Sequence, residues 1–117
     1  MMLIPYKPSQ KKIAMGLLSY MPKEKDVKKL IKTIELYETK QNWKLFFWRE
    51  EEDLVGILGI EVDEDETTLH HLSVNPSYRE EGLGTKMIFA LEDRLEISLV
   101  PSKETKDFLA GCKEKNE

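Results

Sequence analysis

Apolar residues recur along this chain in two rhythms, and the places where one gives way to the other mark the elements. Over residues 11–21 they fall at Ile13, Ala14, Leu17, Leu18 and Met21, the three-and-four spacing of a helix with one buried face. The same rhythm returns after Pro22 at Val27, Leu30, Ile31, Ile34 and Tyr37, with Lys25, Lys28, Lys29 and Lys32 on the remaining surface. A lysine-rich face is most often a solvated one, although it also suits an acidic acceptor. Ahead of both helices, residues 3–6 form a short apolar run cut off by Lys7-Pro8, which predicts a first strand, and Ser9 is placed to cap the helix that follows.

The rhythm shortens in the middle of the chain. Residues 43–48 (WKLFFW) read as an aromatic-rich strand and 54–62 (LVGILGIEV) as its antiparallel partner across Arg49-Glu50-Glu51-Glu52-Asp53. A second acidic turn, Asp63-Glu64-Asp65-Glu66, leads into a strand over 67–74. Both turns lack the alternating ligands and central glycine of a calcium loop and are read as solvated hairpin turns. Gly56 and Gly59 interrupt the middle strand, which predicts a bulge or a close approach there. Helical spacing resumes over 85–95, with Met87, Ile88, Leu91 and Leu95 inward, followed by a strand over 97–100. A last helix over 102–115 is expected to be capped by Ser102 and to pack through Phe108 and Leu109, with Cys112 as a core thiol on the same side.

The junction between the 67–74 strand and the 85–95 helix carries the chemistry. It runs Leu69-His70-His71-Leu72-Ser73-Val74, breaks at Asn75-Pro76, passes through Arg79-Glu80-Glu81-Gly82-Leu83-Gly84 and enters the helix at Thr85. Proline ends the ladder, and the two glycines let a ligand approach the main chain with no Cβ in the way. N–H groups at the start of a helix have no intrahelical acceptor, and with the positive end of the helix dipole they suit an anion such as a pyrophosphate. The dinucleotide fingerprint does not fit, because Met87 stands where its third small residue would be.

Composition narrows the partners. A chain of 117 residues is long enough for one domain, 1–117, with one core and no covalent or metal staple. The net charge of −4 opposes a nucleic-acid backbone or an anionic membrane as partner. A lone cysteine excludes an internal disulfide and a multi-cysteine zinc site and suits a reducing compartment. The opening MMLIPYKPSQKK is too short in apolar residues for a signal peptide, and no run approaches the ~20 apolar residues of a membrane span, so the cytoplasm is the expected location.

Val74, Pro76, Arg79, Gly82 and Gly84 match the pattern V-x-P-x-x-R-x-x-G-x-G, which resembles the acetyl-CoA motif of the GNAT N-acetyltransferases. The element order β-α-α-β-β-β-loop-α-β-α is that family's order, so the resemblance covers nearly the whole chain. It implies an α+β, layered α/β/α fold with a mixed, mainly antiparallel sheet of about five strands and four helices, shortened at the C-terminus. Within the family, the opening and the end (LVPSKETKDFL) are similar to small members encoded in bacillar riboflavin operons.

The resemblance implies transfer of an acetyl group from acetyl-CoA, as co-substrate, to an amine that the sequence does not identify. It implies that Leu72, Ser73 and Val74 hold the pantetheine arm and that the Val74 N–H faces the thioester carbonyl. Arg79, Glu80, Glu81, Gly82, Leu83, Gly84 and Thr85 would surround the pyrophosphate, with Ser102 and Phe108 on the last helix also at the cofactor. A base is needed for the amine, and histidine is the side chain most often used for such work near neutral pH, which makes His70 and His71 the candidates. Neighbouring strand residues face opposite sides, so at most one of the two is expected in the cleft: His70, taken to share a face with Thr68 and Leu72, with His71 as alternative and a purely structural role for both left open. The pair supplies too few ligands for a metal site, and none is expected.

The sequence departs from the family pattern in three places. Glu80 and Glu81 bring negative charge to the pyrophosphate loop. Leu109 stands where many members have a tyrosine that protonates the leaving thiolate, and Ser102 where many have asparagine. Most members also continue into two further strands, whereas this sequence stops at Glu117, from which an open acceptor pocket and a homodimer through the exposed strand edge are expected. A catalytically degenerate CoA-binding regulatory module therefore stands as the second reading. A non-enzymatic interaction domain whose glycines only shape a turn stands as the third.

Overall fold

Strand-forming and helix-forming segments alternate so that one sheet is covered on both faces. The computed structural model describes residues 2–21, 26–78 and 82–115, with side chains described as far as residue 111. Strands β1 (Met2–Pro5), β2 (Trp43–Glu50), β3 (Asp53–Val62), β4 (Thr67–Val74) and β5 (Leu99–Pro101) lie side by side in that order. The first four are antiparallel neighbours; β2, β3 and β4 follow one another through tight turns, whereas residues 6–42 lie between β1 and β2. Glu51 takes a left-handed φ of 54° in the β2–β3 turn, and the Asp63 N–H donates to the Glu66 carbonyl (2.9 Å) across the β3–β4 turn. β5 joins parallel to β4, a step that needs a crossover, here the helix α3 (Leu83–Leu95).

Helices α1 (Lys11–Leu18) and α2 (Val27–Thr39) cover one face of the sheet, while α3 and α4 (Lys106–Lys115) lie on the other. Strand alternation divides the core accordingly. Leu58, Ile60 and Leu69 face α3 and pack with Met87, Ile88, Leu91 and Leu109. Leu45, Phe47 and Ile57 face the other way and pack with Ala14, Leu17, Leu18, Leu30, Ile34 and Tyr37. The expected fold class and element order are those observed, with a mixed five-stranded sheet and four helices. No helix among the described residues is long and apolar enough to cross a membrane.

Element ends differ from the expectation where side chains compete with the pattern. Ser9 does not cap α1. It lies inside a 3₁₀ turn, Pro8–Gln10, in which the Gln10 side chain accepts the Lys7 N–H (3.1 Å). α2 is capped by Asp26, whose carboxylate accepts the Lys28 N–H (2.9 Å), and Val27, the first residue of that helix, points outward. Ile13 and Leu95, expected inside, are exposed as well. β5 begins two residues later than the apolar run because Glu92 claims its start: the Ile97 N–H donates to the Glu92 carbonyl (3.1 Å) and the Leu99 N–H to the Glu92 carboxylate (2.7 Å). α4 likewise starts at Lys106, after a turn in which the Thr105 N–H donates to the Ser102 carbonyl (3.2 Å). Leu109 enters the core as expected, but Phe108 is 47% exposed. The Cys112 side chain lies outside the described residues.

Candidate active site

β4 is paired with β5 over only its first half. The register runs Thr67 with Leu99, Thr68 with Val100 and Leu69 with Pro101. There the Leu69 carbonyl accepts both the Ser102 N–H (3.2 Å) and the buried Thr105 hydroxyl (2.7 Å). Beyond that clamp β5 ends at Pro101 and the chain turns toward α4, so β5 does not continue beside the second half of β4. At the far end of β4 the Asn75 N–H donates to Val55 on β3 (2.7 Å), so by alternation Leu72 and Val74 turn their main-chain groups to the opposite edge, which β5 does not reach.

Where β5 stops there is a cleft of about 690 Å³, lined by Leu72, Ser73 and Val74, by Gly82, Leu83, Gly84 and Thr85 at the start of α3, and by Thr105 and Phe108 near α4. Asn75 shapes the way in. Its side chain accepts the Ser77 N–H (2.9 Å) and its carbonyl the Tyr78 N–H (2.8 Å), turning the chain out of the strand. Gly82 then occupies the N-cap of α3 with φ 71°, ψ 20°, a left-handed conformation that suits glycine. At Gly84 a Cβ would stand 2.5 Å from the tip of the Phe108 ring, so glycine is what allows that ring to close over the start of the helix. Phe108 is thus a wall of the cleft instead of a core residue. The N–H groups of Leu83 and Gly84 belong to the first helical turn and have no acceptor within the helix, which suits the anionic arm of a CoA thioester.

Most residues singled out in the sequence line this one cleft: Leu72, Ser73, Val74, Gly82, Leu83, Gly84, Thr85 and Phe108. Arg79, Glu80 and Glu81 lie outside the described residues. Ser102 is not in the lining, and its hydroxyl is 3.1 Å from that of Thr105. Thr105, which carried no signal in the sequence, occupies the place expected of Ser102. Tyr20, Met21, Tyr78 and Glu104 also line the cleft and were not foreseen. Tyr20 and Met21 follow α1, so the α1/α2 layer walls one end of the cleft.

The two histidines break the alternation on which their assignment rested. Gly59 pairs with His71 and Ile60 with Leu69, which leaves His70 as an extra residue in a bulge. Leu69, Leu72 and Val74 all belong with the α3 side, whereas both imidazoles turn toward the α2 side. His70 therefore does not share a face with Leu72, and the limit of one histidine per face does not hold. The His70 ring stacks on Trp43 (4.4 Å between centroids, 12° between planes), and its Nε2 lies 2.8 Å from the Glu61 carboxylate. His71 Nδ1 lies 2.5 Å from the Tyr37 hydroxyl. Neither ring lines the cleft directly. Among the described residues no group of three histidine, cysteine or acidic side chains could hold a metal ion.

Comparison with known proteins agrees with this geometry. Residues 16–98 match the model of the acetyltransferase (GNAT) family. An uncharacterized N-acetyltransferase in the lysA 3' region of Bacillus methanolicus is 50% identical over 113 residues, covering 95% of this chain and 94% of that one. Among solved structures, an aminoglycoside 6'-N-acetyltransferase in complex with a CoA-containing bisubstrate analogue superposes with a TM-score of 0.74 at 11% identity, over 98% of this chain and 87% of that chain. An acetyltransferase from Thermus thermophilus gives 0.72 at 17% identity, over 94% and 83%. At these identities the solved structures speak for the fold, while the family match and the Bacillus relative speak for descent. The chain belongs to the acetyltransferase (GNAT) family, the acyltransferases that draw on acetyl-CoA.

Proposed function

We propose that this protein is an N-acetyltransferase that moves an acetyl group from acetyl-CoA to an amine of a small molecule or a protein, in the cytoplasm. The observation that carries the reading is the end of β4 beyond the reach of β5, whose residues share one cleft with a glycine-capped helix start. Leu72, Ser73 and Val74 would hold the pantetheine arm as an added strand, and Gly82 to Thr85, with Arg79, Glu80 and Glu81 before them, would receive the pyrophosphate. The Val74 N–H would polarise the thioester carbonyl, a contribution on the order of 3 kcal/mol per donor in other acyl-transfer enzymes. Phe108 would flank the cofactor beside Gly84, with Thr105 and Ser102 holding the turn beneath it. When bound, acetyl-CoA supplies the activated acetyl group.

A histidine of β4 serves as the base in this reading. His70 is tied to Glu61 and Trp43, whereas His71 stands two residues before Ser73, a cleft residue on the same face, which supports His71 over His70. At strand rise that separation is about 7 Å, within reach of an acceptor entering past Tyr20. A link to flavin metabolism rests on the likeness of both ends of the chain to RibT, an acetyltransferase-like protein of riboflavin operons. A homodimer through the β5 edge goes with it. The second reading, a CoA-binding regulatory module without catalysis, is favoured by Leu109, which is buried in the core and carries no proton to donate.

Calorimetric titration with acetyl-CoA and CoA, with Gly84→Glu as control, tests the site, and thiol release over a panel of amines then tests the reaction. Binding lost in the control together with turnover on any amine supports the transferase. Binding without turnover supports the regulatory module, and no binding to the wild-type protein overturns both.

A further inference from the structure

The α2-facing side of β4 carries an arrangement that the cofactor cleft does not explain. Tyr37 is buried on α2, and its hydroxyl crosses the strands to reach His71, 34 residues away in sequence. Room for it is made by Gly59, the residue of β3 that pairs with His71: a Cβ there would collide with the Tyr37 hydroxyl and ring. The tyrosine ring is fixed edge-on against Trp43 (5.3 Å, 69°) and against His71 itself (5.5 Å, 71°). A glycine, a bulge and two aromatic edges thus converge on one hydrogen bond.

We infer that Tyr37 is a positioning residue for His71, holding its imidazole in the tautomer that carries the lone pair on Nε2. The inference rests on the transferase reading above. An imidazole removes a proton only through a ring nitrogen that lacks one, so the other nitrogen must keep its hydrogen and have an acceptor for it. A phenolic oxygen can accept as well as donate. Placed against Nδ1, the Tyr37 oxygen accepts Nδ1–H, leaves the lone pair on Nε2, and keeps the same bond when the ring becomes imidazolium. During transfer the amine nitrogen bonds to the acetyl carbon, the C–S bond breaks and its electron pair leaves on the thiolate sulfur. The amine proton goes to His71 Nε2 and from there to water.

Titratable groups approach His71 from three elements. α2 presents Tyr37, its own strand presents His70 at 6.4 Å between ring centroids, and β3 presents Glu61, which His70 engages. From α1 the buried residues on this face, Ala14, Leu17 and Leu18, are apolar. The two histidines therefore have different partners: a carboxylate and an indole for His70, a phenol for His71.

Nitrogen-15 NMR of the histidine rings in the full chain, read beside the pH profile of kcat/KM for transfer, tests the inference with Tyr37→Phe, His71→Ala and the double variant. The wild-type ring is expected in the Nδ1–H form. Tyr37→Phe is expected to mix the tautomers, lower kcat by roughly tenfold or more, part of the ~10²–10⁴ that a positioned base contributes, and leave the KM for acetyl-CoA unchanged. The pH profile should change with it. In the His71→Ala background, Tyr37→Phe should change nothing further. An Nε2–H tautomer in the wild type, or a Tyr37→Phe enzyme with an unaltered rate and profile, overturns it. Failure of the transferase reading shows separately, as a wild-type protein with no turnover on any amine, and the ring spectra still decide what Tyr37 does.

Discussion

The two faces of β4 are built from neighbouring residues of one strand, yet they do different work. Toward α3 the strand presents Leu69, Leu72 and Val74, which pack with Met87, Ile88 and Leu91 and leave the main chain to make the cleft. Toward α2 it presents His70, His71 and Ser73, met by Tyr37, Trp43 and Glu61. One face is apolar packing, and the other is a set of polar and aromatic side chains bonded to one another. The extra residue at His70 turns two imidazoles the same way without disturbing the apolar set on either side of them.

The comparison breaks most severely on the apolar face. Leu69 is fully buried, and Leu69→Ala is expected to cost about 2–5 kcal/mol through lost transfer energy and the cavity left behind. Urea unfolding measures it, and a loss below about 1 kcal/mol would mean that this face is not close-packed. A smaller effect is expected from the other face at Gly59→Ala, where the new methyl must displace the Tyr37 ring; overpacking of this kind costs about 1–3 kcal/mol. The informative readout is transfer rate beside thermal stability. Activity that falls no further than stability explains would separate Tyr37 from the reaction. The smallest effect belongs to Glu61→Gln, since its pair with His70 is partly exposed and such pairs contribute about 0–1 kcal/mol. A melting difference that shrinks with added salt is expected, and one that persists at high salt would show a pair shielded from solvent.

How legible each region was follows from the range of the forces that shape it. The helical faces of α1, α2 and α3 and the strands β2 to β4 were visible because their apolar spacing reports directly on burial. The glycine pair and Asn75-Pro76 were visible because a left-handed cap and a ladder break each demand particular residue types. The ends were not. Ser9 and Ser102 look like caps, but Gln10 follows Ser9 at the N-cap of α1 and turns its side chain back to the Lys7 N–H, while the Thr105 hydroxyl binds the Ser102 N–H and the Leu69 carbonyl, a competition among residues equally suited by type. Phe108 and Leu109 look alike by apolarity, and only the approach of α4 to Gly84 sends one to the cleft and the other to the core.

The family, the strand–loop–helix junction and the cofactor it suits could all be read from local residue order, because each depends on what neighbouring residues allow the backbone to do. The facing of the histidines could not. It depends on a register shift between β3 and β4 and on a tyrosine 34 positions away, and a strand pattern read with strict alternation has no means of showing an inserted residue. Folding brought Tyr37 over Gly59 and against His71, since a missing side chain and a bulged partner strand leave space there for a phenol.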